Sequence, residues 1–240
     1  MDHHVKQAPV QGVTGLWGGT QGALTSGGKA DPVYIDELFS TYLWEGDSSN
    51  RTITNAIDLS GEGGSVWIKQ RDGGETWAAY DTTRGATKRL QFSSTAAENT
   101  LSNGLKSFTS TGFTLGSDNT SNDNDKDYVS WSFRKKEKFF DIVTYTGNST
   151  NNQGSNTRTI SHSLGSVPGL IIAKSTSSRY WGVYHKGMNE GSNPANYRLI
   201  FNGTQAISDG QSGGYDVLTH TLVKTADATF ICLSNVQNYA

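Results

Sequence analysis

Six short segments of this chain recur in the same order, and that repetition constrains the fold more than any single motif. Tyr42-Leu-Trp-Glu-Gly46 returns as Val143-Thr-Tyr-Thr-Gly147, Arg51-Thr-Ile-Thr54 as Arg158-Thr-Ile-Ser161, and Val66-Trp-Ile-Lys69 as Leu170-Ile-Ile-Ala-Lys174. Trp77-Ala-Ala-Tyr80 matches Trp181-Gly-Val-Tyr184, Leu90-Gln-Phe92 matches Leu199-Ile-Phe201, and Gly112-Phe-Thr-Leu-Gly116 is set against Ala228-Thr-Phe-Ile-Cys-Leu233. A fixed order at a period of about 100 residues reads as a tandem duplication.

The repeated unit reads as antiparallel β. Its runs are short, alternating or wholly apolar, and rich in Val, Ile, Tyr, Phe and Trp. Turn clusters such as Asp72-Gly-Gly74, Asn148–Gly154 and Gln211-Ser-Gly-Gly214 separate them. Gly, Ser, Thr and Asn number 28, 27, 27 and 17, which favours turns and strands over helices. The expected fold is all-β: two tandem antiparallel β-sandwich repeats, residues 41–138 and 139–240, with inward aromatics between two sheets. Ser94–Phe108 is the one interior stretch that hints at helix, through the capping-box spacing of Thr95 and Glu98. No βαβ alternation is visible, which excludes a doubly wound sheet. The first copy runs on into Tyr128-Val-Ser-Trp-Ser-Phe133, whereas the second stops at Asn235-Val-Gln-Asn-Tyr-Ala240, its closing strand missing or only beginning at Tyr239. The expectation is an incomplete second repeat with an open edge at Thr229–Leu233, filled by further chain or by a neighbour.

Residues 1–40 form a separate segment. Gln11–Gly28 is Gly-rich, which makes ordering costly. Val13, Leu16, Trp17 and Leu24 are spaced along it as apolar plugs, and read as docking residues of an extended arm that orders on a neighbouring subunit, with Trp17 the anchor. A short helix should follow, with Asp31 as N-cap, Pro32 at the first helical position, and Ile35, Leu38, Phe39 and Tyr42 as its stripe.

Chemistry is harder to find. The net charge is −2 with scattered Lys and Arg, which gives no nucleic-acid footprint. No apolar run is long enough to insert into a membrane. The single Cys232 cannot form an internal disulfide and reads as a buried apolar residue. There is no Gly-x-Ser-x-Gly elbow. His162 stands where the first copy has Asn55 and reads as a loop hydrogen-bonder; His185 stands where it has Asp81 and reads as a satisfied strand-end polar residue rather than a metal ligand; His220 lies on a polar strand face, and His3 and His4 are terminal. Asp118, Asp123, Asp125 and Asp127 could offer oxygens to calcium, but the loop lacks the EF-hand glycine and glutamate, and Asx residues also simply make turns. Of the acids Glu45, Asp58, Glu62, Glu75 and Asp81, the second copy replaces most, which argues against a paired-carboxylate enzyme. Trp77 and Trp181 recur at one repeat position and read as core rather than as sugar-stacking platforms. The sequence therefore implies no catalytic residue, no metal and no cofactor.

The longer phrases carry a resemblance. Ile57–Lys69, Asp81-Thr-Thr-Arg-Gly85, Gly112–Gly116, Asp141–Gly147, Ser161–Gly169 and Trp181-Gly-Val-Tyr-His185 together resemble a repeat domain of unassigned function in tail-fibre and other virion structural proteins of tailed bacteriophages, notably of marine cyanobacteria. The likeness covers about residues 38–205 and none of the arm. It implies a virion component at the particle surface, with a virion-proximal tail-fibre segment as the leading expectation. The implied partners are other virion proteins, further copies of the chain (a homotrimer by resemblance) and a host surface glycan. A capsid decoration or head-fibre protein is the alternative, and a glycan-cleaving tail spike is a third.

Overall fold

In the computed structural model, residues 33–146, 160–204, 206, 208–209 and 228–233 are described. Fifteen strands, one single-turn α-helix and three 3-10 turns occur among them. They form antiparallel sheets, so the chain is all-β. The first six-stranded sheet contains β1 (Phe39–Glu45), β3 (Gly64–Gln70), β4 (Ala78–Asp81), β5 (Gly85–Gln91), β6 (Asn99–Thr100) and β9 (Asp127–Arg134), in the order β1-β9-β3-β4-β5-β6. A three-stranded sheet, β2-β8-β7, is made by β2 (Arg51–Thr54), β7 (Leu105–Thr109) and β8 (Gly112–Leu115). A second six-stranded sheet follows, from β10 (Phe140–Tyr145), β11 (Leu170–Ser175), β12 (Gly182–His185), β13 (Tyr197–Ile200), β14 (Ser208–Asp209) and β15 (Ala228–Leu233), in the order β10-β15-β11-β12-β13-β14.

The two six-stranded sheets have the same strand order, and their registers correspond residue by residue. Phe39 pairs with Phe133 as Phe140 pairs with Leu233. Val66 pairs with Tyr80 as Ile171 pairs with Tyr184, and Ala79 with Leu90 as Val183 with Leu199. Outside the ladders the match persists: Phe92 N–H donates to the Trp77 carbonyl at 3.1 Å, and Phe201 N–H to that of Trp181 at 3.0 Å. The sixth sequence pairing is corrected. Gly112–Leu115 is β8 of the small sheet, whereas Ala228–Leu233 lies between β10 and β11, the place β9 takes between β1 and β3. The proper counterpart of β15 is thus Tyr128–Phe133. The expected open edge at Thr229–Leu233 is overturned for the same reason, since β15 is paired on both sides.

Alternation along the strands sorts the core. Trp44, Val66, Ile68, Tyr80 and Tyr128 face the small sheet, where they meet Ile53, Leu105, Phe113 and Leu115. The opposite face of the same strands carries Trp67, Ala79 and Leu90, with Phe92 just beyond β5, and it packs on Phe140, Ile142, Ile172, Trp181 and Val183 of the second sheet. Each such fully buried side chain contributes about 1.5–3 kcal/mol. The far face of the second sheet carries Ile171 and Tyr184 against Ile160 and Leu164. The first sheet is therefore covered on both faces, which is why Val66-Trp-Ile68 is continuously apolar. The recurring aromatics are thereby separated: Tyr80 and Tyr184 point to the outer cores, while Trp77 and Trp181 both lie at the seam between the large sheets, so the aromatics expected inside each repeat are divided between two cores.

Local expectations were also overridden. Ser94–Phe108 forms no helix; it contains β6 and the start of β7, since Arg89 and Asn99 pair across β5 and β6 and Leu105 is drawn into the core. The helix expected from residue 31 is a single 3-10 turn, Ile35–Glu37, after which Phe39 and Tyr42 enter β1. Pairing with β9 along seven residues outweighs a local helical stripe. One α-helical turn, α1 (Asn119–Asn122), appears instead within the Asp-rich loop, with Asp118 as its N-cap. Gly112 opens β8 directly after the β7–β8 turn at φ +150, and a Cβ there would strike the Ile53 carbonyl. Val13, Leu16, Trp17 and Leu24 lie outside the described residues, as do Asp31 and Pro32.

Candidate functional site

The seam between the two large sheets gathers the most chemistry-bearing side chains. Trp181, fully buried, meets Phe92 in a tilted ring pair with centroids 4.5 Å apart, and its indole Nε1–H donates to the Gln91 carbonyl at 2.8 Å. Trp67 meets Phe92 and Phe133 at 4.7 Å, Phe133 stacks on Phe140 at 5.2 Å, and Trp77 sits 4.8 Å from Trp131. Aromatic pairs of this kind add about 0.5–1.5 kcal/mol each beyond their buried area.

A buried ion network flanks the seam. Asp81, at the end of β4, accepts from Thr83 N–H at 3.0 Å, Arg84 N–H at 2.8 Å and Arg84 Nε at 2.6 Å. Arg84 Nη1 reaches Glu98 Oε2 and the Lys88 carbonyl, each at 3.2 Å. Glu98 N–H donates to the Thr176 carbonyl at 2.8 Å, tying the network to the end of β11. Lys174, nearby and buried, donates to the Ser175 and Ser177 carbonyls at 2.6 and 2.9 Å. Burial first, and the Arg84 charge second, push its pKa down to about 8. Lys69 repeats this clamp in the first sheet, donating to Gln70 and Gly73 carbonyls at 2.6 and 3.0 Å. Tyr80, buried in the outer core, has its hydroxyl pushed up to about 12 by burial and by Asp118.

The histidines serve backbone turns. Asn55 Oδ1 accepts from Ile57 N–H at 3.3 Å, and His162 Nδ1 from Leu164 N–H at 3.2 Å. Asp81 Oδ1 accepts from Thr83 N–H, and His185 Nδ1 from Gly187 N–H at 3.1 Å. In both substitutions the imidazole Nδ1 replaces an Asx oxygen as acceptor for the amide two residues on, the geometry of an Asx turn. His220, His3 and His4 lie outside the described residues, and of Cys232 only its place in β15 is described.

The Asp-rich loop is spent on its own architecture. Asp118 accepts from Thr120 N–H at 3.0 Å, Asp123 from Asn124 N–H at 3.0 Å, Asp125 from Asn124 Nδ2 at 2.6 Å, and Asp127 lies 3.7 Å from Arg71. Among the described residues, no three His, Cys, Asp or Glu side chains converge as a metal-binding group. The hub that sequence reasoning missed is Asn122: fully buried, its Nδ2 donates to Asp47 Oδ1 and to the Ser49 and Gly116 carbonyls at 2.9, 2.7 and 3.0 Å. Nothing in its sequence surroundings separates it from the neighbouring turn-forming Asn residues. Glu62 pairs with Arg134 at 3.2 Å, Asp58 caps Gly61 N–H at 2.8 Å, and Glu45 and Glu75 are exposed.

A family model described as a domain of unknown function, DUF7483, matches residues 36–237. The chain belongs to the DUF7483 family. No curated protein and no solved structure matches it. The DUF7483 match begins just before β1 and runs past β15, so it takes in both large sheets and the seam. Residues 1–35 stand outside it. As arranged, these DUF7483 polar groups hold backbone and neighbouring sheets in place: Lys69 and Lys174 are bound to carbonyls, Arg84 to carboxylates, and His162 and His185 to turn amides.

Proposed function

We propose that this chain is a structural protein of a tailed-bacteriophage virion, a virion-proximal tail-fibre segment that holds and displays without transforming a substrate. In this reading residues 41–138 and 139–240 are tandem β-sandwich repeats, and residues 1–40 are the arm that docks on other virion proteins through Val13, Leu16, Trp17 and Leu24. The observation that carries it is the reuse of one strand order, one register and one Lys–carbonyl clamp in the two large sheets. Reiterated β units with their polar groups internally bound suit a mechanical spacer. The phage phrases of the sequence supply the setting, and the threefold count is what the resemblance implies. Many copies on one particle would give avidity for a host surface glycan.

The test is proteolysis in two settings. Residues 1–30 should be cut in the isolated chain and protected in the particle, and Trp17→Ala should lower incorporation roughly tenfold or more, as loss of an aromatic hot spot does. Equal cleavage in both settings defeats the docking arm. Antibody labelling of capsid rather than tail would favour decoration, and release of new reducing ends from host polysaccharide would overturn the non-enzymatic reading.

A further inference from the structure

We propose that the free edge of β1 is a self-pairing surface whose partner is β1 of a second copy of this chain. The hydrogen-bond phase fixes which groups face outward. Arg134 N–H donates to the Leu38 carbonyl at 2.8 Å, and Gly46 N–H to the Lys126 carbonyl at 2.7 Å. In the β1–β9 register these are opposed pairs, so the even residues between them turn their amide groups toward β9. Phe39, Thr41, Leu43 and Glu45 turn theirs away, and among the described residues no strand lies beyond β1 in the sheet. The Glu45 carbonyl is taken by Arg51 Nη1, which closes that end. Phe39, Thr41 and Leu43 remain as the open stretch.

This edge lacks the devices that blunt exposed strands: it has no Pro, no Lys and no inward charge, and Leu43 is 56% exposed. Its counterpart β10 shows what protection looks like. There Phe140 exchanges hydrogen bonds with Lys136 at 2.9 and 3.0 Å, and the position matching Ser40 is the buried Asp141, paired with Lys135 at 3.0 Å.

The open stretch is complementary to itself. Two antiparallel copies centred on Thr41 place Thr41 opposite Thr41 of the second copy and Leu43 opposite its Phe39, twice over. A twofold contact requires such reciprocity. The result is one Thr–Thr pair and two aliphatic–aromatic pairs on one face, which are favourable cross-strand pairs; the same register next sets Glu45 against Glu37 of the second copy at each end, and that like-charge approach confines the contact to Phe39–Leu43. A stretch this short buries less than the roughly 1,200 Å² of a standard stable interface, so the contact forms at high local concentration, as on a particle. Being twofold, it calls for an even number of chains, against the threefold count implied by the resemblance.

Sedimentation of the full chain up to ~1 mM tests this, a concentration comparable with that imposed by short tethers. The expected result is a concentration-dependent mass of two chains, weakened at least tenfold by Leu43→Lys and by Thr41→Pro, with circular dichroism and melting of Leu43→Lys unchanged. Thr41→Cys should oxidise to a covalent dimer that the wild-type chain, with its single Cys232, does not form, because opposed hydrogen-bonded residues sit about 5.5 Å apart, within disulfide reach. A monomer throughout the range, a dimer indifferent to Leu43→Lys, or a mass of three chains overturns the proposal. So does a monomer that dimerises only when residues 1–32 are deleted, since the arm would then be the occupant.

Discussion

Equivalent positions in the two large sheets share backbone geometry but not surroundings. Leu90 and Phe92 of the first sheet are buried, while their counterparts Leu199 and Phe201 are 38% and 53% exposed. Trp181 is fully buried and Trp77 only partly. Asp81 is buried in an ion network, whereas His185 is exposed and serves one turn. The difference follows from packing. The second sheet presents Trp181 to the first, which shields Phe92, whereas Phe201 meets Phe92 with ring centroids 5.4 Å apart and still stays exposed. The ladders recur in the two sheets, and the seam divides the labour between them.

The tryptophans give the largest expected effect. Trp181→Ala removes a buried ring and an indole hydrogen bond to the other sheet, and should cost about 3–5 kcal/mol. Trp77→Ala, at the same ladder position but partly exposed, should cost ~2 kcal/mol. Chemical denaturation of both variants measures the gap; equal losses would mean the seam is symmetric after all. Next comes the acidic position. Asp81→Asn leaves Arg84 buried with Glu98 as its remaining carboxylate, and should cost about 3 kcal/mol. His185→Ala, at the matching site, should stay within ~0.5 kcal/mol, as surface changes do. A costly His185→Ala would show that the exposed turn carries more of the second sheet than its contacts suggest.

How far the sequence reaches is visible at the same residues. Periodicity of two and turn clusters mark the strands, and Trp77/Trp181 and Lys69/Lys174 can be aligned by eye because each keeps its spacing to neighbours. The closing strand cannot: Tyr128–Phe133 is aromatic and alternating, while Ala228–Leu233 is a plain apolar run, so the wrong segment, Gly112–Gly116, looks more like it. Which residues sit between sheets is also hidden, because Trp67 and Val66 are equally apolar and only the ladder assigns them to opposite faces. At Asn55/His162 the sequence does show a shared role, since a turn needs an acceptor and both side chains offer one. The buried Asn122 is illegible, as its partners Asp47 and Gly116 are brought together only by the fold.

The comparison of the two Lys clamps is sharpened by pH. Lys174 in the fold has its pKa lowered to about 8 from 10.5 by burial and by Arg84. Between those values the unfolded chain binds the proton and the fold does not, so stability rises with pH across about 8–10.5 and is lower, and flat, below that window. Tyr80 acts the other way at higher pH: its hydroxyl, raised to about 12 from 10.0, keeps its proton in the fold, and stability falls as pH climbs from 10 towards 12. Denaturation midpoints of the wild type and Lys174→Met, compared from pH 7.5 to 10, isolate the first effect, because the tyrosine contribution is common to both. The wild-type midpoint should gain on the variant as pH rises. A constant difference between them would mean that the two carbonyls holding Lys174 stabilise its charge as well as water does, and that the second clamp is no more strained than an exposed lysine.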